Sequence, residues 1–140
     1  MKSIVLGMFL SITCAAFACP DISGKYQCPN EARDYDLDQF EIEFADNIQT
    51  FIFKANNLTS FYEIGVWNLD FGPTSGRSEP AYQIKAECTS NIVTLMTEDM
   101  ADGEVISQFL IPKPDGLIVE FDETDDDGEN TRMSFRCRKI

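Results

Sequence analysis

Histidine is missing from the 140 residues altogether and tryptophan occurs once. Basic residues are scarce, with 11 Lys and Arg against 24 Asp and Glu and a formal net charge of -13. Without histidine the chain lacks the commonest general base, the usual activator of a serine or cysteine nucleophile, and a principal zinc ligand. A non-enzymatic protein is expected, and no cofactor is implied. The acidic excess repels nucleic acid and anionic membrane surfaces, because both are bound through basic patches. Past residue 18 no apolar run approaches the ~20 residues of a membrane-crossing helix, and the helical period is missing too.

What is present begins with a leader. Residues 1–18 carry Lys2, the apolar run "IVLGMFLSIT" and then Ala16-Phe17-Ala18, the pattern of a signal peptide cleaved after Ala18. Residues 19–140 then form one exported domain, periplasmic or extracellular. Cleavage removes Cys14 and leaves Cys19, Cys28, Cys88 and Cys137. Four cysteines in an oxidising compartment can make two disulfides. The alternative is a lipid anchor on Cys19, the residue after the cleavage point. It fits less well, since Ala16-Phe17 lacks the Leu-like residue such a signal carries, and lipidation would strand one thiol.

The rest reads as strands and turns. "QFEIEF" (39–44) sets Phe40, Ile42 and Phe44 against Glu41 and Glu43, the alternation of a strand with one dry face and one wet face. Similar runs follow at 48–54, 59–69, 81–88, 92–98, 104–111, 117–123 and 131–139, separated by Asn, Asp, Gly and Pro clusters. Pro112 and Pro114 are expected to stop the strand before them. Residues 29–40 read as a loop with room for one helical turn. These elements predict an all-β, antiparallel up-and-down meander closed into a barrel of about eight to nine strands, with a β-sandwich as the alternative.

The first strand carries Gly24-Lys25-Tyr26, inside "CPDISGKYQCPN". This resembles the G-x-W start of the calycin group, meaning lipocalins, fatty-acid-binding proteins and avidins, with Tyr in place of Trp. The match covers about a dozen residues at the start and a few at the end, and the mid-chain lipocalin "TDY" segment is absent. In lipocalins the motif's aromatic residue closes one barrel end beneath a basic residue of the last strand. The resemblance therefore implies barrel-end packing of Tyr26 with Arg136 or Arg138. An avidin biotin site is a box of several tryptophans, which Trp67 alone cannot make. In a closed meander the first and last strands are neighbours, so Cys28 could reach Cys137, leaving Cys19 for Cys88 as the avidin likeness suggests. The other two pairings stay open.

A closed barrel of this size holds side chains alone or one small ligand. Phe40, Phe44, Tyr62, Trp67, Phe109 and Phe121 are the candidate lining of an apolar site. The first functional expectation is a lipocalin-like carrier of a small apolar molecule. The second is a solid-core module that meets a protein partner through loops 70–80 and 122–130. Within the latter, Glu123, Asp125 and Asp127 have the spacing of the first ligands of an EF-hand loop. Ser134 stands where the bidentate Glu belongs and strands flank it, so an acidic hairpin turn is the simpler reading, with weak calcium binding the residual.

Overall fold

The structure is a computed structural model, and it describes residues 19–35, 37–70, 82–89, 91–124 and 128–140. The proposed leader 1–18 and all but Asp70 of the 70–80 loop lie outside the described residues. Ten strands follow one another in the chain: β1 (Gly24–Gln27), β2 (Gln39–Ala45), β3 (Thr50–Ala55), β4 (Leu58–Glu63), β5 (Asn68–Asp70), β6 (Tyr82–Thr89), β7 (Ile92–Asp99), β8 (Val105–Lys113), β9 (Gly116–Thr124) and β10 (Asn130–Lys139). They form one sheet in the order β4-β3-β2-β1-β10-β9-β8-β7-β6-β5, with every pairing antiparallel.

First and last strands lie side by side, Tyr26 opposite Lys139 and Gln27 opposite Arg138. The sheet curls until β4 meets β6. There Ile64 makes a parallel bridge to Ala86, and the Gly65 N–H donates to the Ala86 carbonyl at 2.8 Å. Side chains span the rest of the seam: Ser60 Oγ donates to Asp70 at 3.3 Å, and Asn68 Nδ2 to Glu63 at 2.9 Å. The barrel is thus nearly closed. The tenth strand arises because 59–69 is not one strand. Gly65, at φ 73, turns the chain and separates β4 from β5. Pro112 does not end its strand either, since β8 continues to Lys113. Pairing of β8 with β7 ends at Leu110, so the missing Pro112 N–H interrupts no bond to β7.

Alternation decides what faces inward. Phe40 and Ile42 are 2 % and 1 % exposed, while Glu41 and Glu43 form outer-face ion pairs with Lys25 and Lys54. The lower end carries the start of β1, the end of β10 and the β2–β3, β4–β5, β6–β7 and β8–β9 connections. Phe51, Ile42, Val93, Leu110, Leu117 and Val119 fill the interior there, each fully buried. Burial of such side chains stabilises by about 1.5–3 kcal/mol apiece before chain entropy is counted. The upper end carries the β1–β2 connection, the Asn56-Asn57 turn with both residues at positive φ, and the β7–β8 connection.

The β1–β2 connection contains a short 3-10 helix, Asn30–Tyr35, in the segment expected to be a loop with a helical turn. Ala32 and Leu37 tuck inward from it, and the Cys28 N–H donates to the Asp38 carbonyl at 3.0 Å. Two disulfides pin the ends. Cys28 joins Cys137 across β1 and β10 (Cα–Cα 4.1 Å), and Cys19 joins Cys88 on β6 (Cα–Cα 5.2 Å). They are consistent with an extracellular or periplasmic location. Among the described residues no helix is long and apolar enough to cross a membrane.

Candidate functional site: a barrel stopped at one end and hollow at the other

Tyr26 closes the lower half. Its hydroxyl donates to the Ile22 carbonyl at 2.7 Å, within the same buried cluster. Its ring stacks on Phe40, with centroids 5.4 Å apart, and Phe40 stacks in turn on Phe53 at 5.1 Å. The basic residue over Tyr26 is Lys139, not Arg136 or Arg138. Lys139 Nζ lies 6.0 Å from the ring centroid and donates to the Ser23 carbonyl at 2.7 Å. Strand parity gives the reason. Cys137 points inward to its disulfide, so Lys139, two residues on, shares that face and stands opposite Tyr26, while Arg136 and Arg138 project outward. Arg136 pairs there with Asp115 at 3.0 Å.

Above this stop the interior is not filled. A cavity of about 820 Å³ occupies the upper half and opens at the rim. Phe53 of β3, Leu95 of β7, Phe121 of β9 and Leu37 of the β1–β2 connection supply its apolar wall. Ser60 and Tyr62 of β4, Thr97 of β7 and Gln108 of β8 add a polar strip. The Tyr62 hydroxyl hydrogen-bonds the Thr97 side chain. Burial is the largest influence on this phenol and raises its pKa, the Thr97 bond works the other way, and the Asp70 charge adds to the rise. It is therefore a neutral hydroxyl at physiological pH, able to donate or accept.

The six aromatic candidates separate by parity and height. Phe121 and Tyr62 line the cavity. Phe40 lies behind Phe53 as part of the stop, and Phe44 packs on Phe51, centroids 4.7 Å apart, against the core cluster. Trp67 and Phe109 do not take part. Phe109 neighbours the inward Leu110 and so faces out, where the Arg132 guanidinium lies 5.6 Å from its ring centroid. Trp67 lies beyond the Gly65 turn, with Lys85 Nζ 4.8 Å from its centroid, and Lys85 is flanked by the inward Ile84 and Ala86.

Phe53 and Leu95 were missing from the candidates, although Phe51 and Phe53 alternate in "TFIFK" as clearly as Phe40 and Phe44 do in "QFEIEF". Of the calcium candidates, Asp125, Asp127 and the Glu123 side chain lie outside the described residues. Among the described residues no group of three or more His, Cys, Asp or Glu side chains is placed to hold a metal ion.

The features together define a small disulfide-bonded antiparallel β-barrel with one stopped end and one hollow end. No protein-family model matches the chain, and neither curated proteins nor solved structures yield a match.

Proposed function

We propose that the protein is an exported, non-enzymatic carrier that holds a small apolar molecule in the upper half of a calycin-like barrel. One observation carries the reading: the interior is sealed by Tyr26 and its stacked aromatic neighbours below, and left open as a cavity of about 820 Å³ above. That volume lies within the ~300–1,000 Å³ of small-molecule sites, and a mainly apolar wall with a few hydroxyl and amide groups is their usual chemistry. A solid-core interaction module would need the upper interior filled as the lower one is, so the cavity favours the carrier.

Nile red, a neutral dye whose emission rises and shifts to the blue in apolar surroundings, tests it. The purified protein is expected to give a saturable gain with about one dye per chain. Gln108→Trp, which projects into the cavity, weakens that binding by at least about tenfold while leaving the unfolding transition cooperative. A dye response that never saturates, or one indifferent to Gln108→Trp in a folded variant, removes the carrier.

A further inference from the structure

The cavity's described lining is uneven in charge. It includes two carboxylates, Glu104 and Asp122, and no basic side chain. Asp122 is already matched, its carboxylate accepting from Arg132 Nε at 2.9 Å. Glu104 is in none of the ion pairs of the described residues. It stands where the β7–β8 connection enters β8, beside the rim residues Val105 and Ile106.

The described basic residues stand outside the lining, with Lys113 and Arg138 at the lower end. Lys54 and Lys85 pair with Glu43 and Glu87 on the outer wall, Lys139 serves the stopped end, and Arg33 pairs with Asp38 in the β1–β2 connection. A ligand entering the apolar upper half thus meets a negative rim on a chain of net charge -13, whose field favours cations at the mouth. A carboxylate or phosphate head would meet repulsion and find no described cation in the lining. An ammonium head can stop at Glu104 while its chain lies on Phe53, Leu95 and Phe121.

We infer that the cavity selects cationic amphiphiles, an aliphatic or aromatic body bearing one amine, over neutral and anionic molecules of the same size. The inference rests on the carrier reading and adds the ligand's class to it.

Displacement of bound Nile red by dodecylamine, dodecanol and dodecanoate at neutral pH, each below its micellar concentration, separates the two. The three share a chain and differ in headgroup charge. Dodecylamine is expected to displace the dye at about tenfold lower concentration than dodecanol, and dodecanoate to be the weakest, since one partly solvated charge pair is worth about that factor. Glu104→Gln brings the amine down toward the alcohol. Raising salt also narrows the gap, as the rim is open to solvent. If dodecanol or dodecanoate matches dodecylamine, selection for cations is overturned and the carrier stands. If Nile red itself fails to bind, both fall. If the amine's advantage survives Glu104→Gln unchanged, the Glu104 recognition is overturned even though binding persists.

Discussion

Tyr26 and Tyr62 are two groups whose protonation is tied to the fold. Burial holds the Tyr26 pKa above its ordinary value of 10.0, with the Asp21 charge adding to the rise, and burial does the same at Tyr62. An acid whose pKa is raised by folding is favoured in its protonated form by the native state. Its contribution is complete below the unfolded-state value and is lost as pH rises through the folded-state value. Stability should therefore be flat at neutral pH and decline above about pH 10. Urea unfolding at neutral and strongly alkaline pH, with tyrosinate absorbance followed in parallel, checks it. Tyr26→Phe should reduce the alkaline loss and cost about 1–2 kcal/mol at neutral pH, because the Ile22 carbonyl loses its buried donor. At this scale the sequence was half legible. That a basic residue of the last strand would meet Tyr26 came from the calycin resemblance, with Arg136 or Arg138 as the expected residue, and which one it is depended on the parity of β10. Cys137 settles that parity once it is known to point inward, and it selects Lys139 over Arg136 and Arg138.

Strands were legible wherever apolar and polar residues alternate, as in β2, β6 and β7. They were not where a single glycine resets the direction. Gly65 cuts one apparent strand into β4 and β5, and that cut is why Trp67 falls outside the wall. Height along a strand was hidden as well. Phe40 and Phe121 look alike in their local patterns, yet one belongs to the stop and the other to the cavity, since only the register of neighbouring strands sets their level. The β9–β10 pair makes a test of that register. Gly116 stands opposite Arg138, and a Cβ at Gly116 would run into the Cys137 carbonyl oxygen. Backbone cannot yield as a side-chain tip does, so Gly116→Ala should destabilise by about 1–3 kcal/mol. Thermal unfolding of that variant reads the cost directly, and an unchanged midpoint would contradict the close approach.

Across the whole molecule, closure rests on different means at its two junctions. Where β1 meets β10 there are ladder pairs and a buried disulfide; where β4 approaches β5 and β6 the described residues show an isolated bridge, the Gly65–Ala86 backbone bond and the side-chain bonds of Ser60 and Asn68. Cys28–Cys137 spans 109 residues, and by chain entropy such a link contributes about 4–5 kcal/mol. Against the 5–15 kcal/mol of a typical domain that is a large share. The double variant Cys28→Ser, Cys137→Ser should therefore lower the unfolding midpoint more than Cys19→Ser, Cys88→Ser, whose link spans 69 residues and is less buried. Equal losses in the two variants would count against the first junction as the main clasp.

The division of the interior into a filled lower half and a hollow upper half is tested most directly by methyl NMR during titration with dodecylamine. Leu37 and Leu95 line the cavity, whereas Leu110 and Leu117 belong to the filled end. Saturating shifts confined to Leu37 and Leu95, with Leu110 and Leu117 still, are the expected result. Shifts spread equally over all four, or none at a concentration that fully displaces Nile red, would contradict a barrel stopped at one end and open at the other.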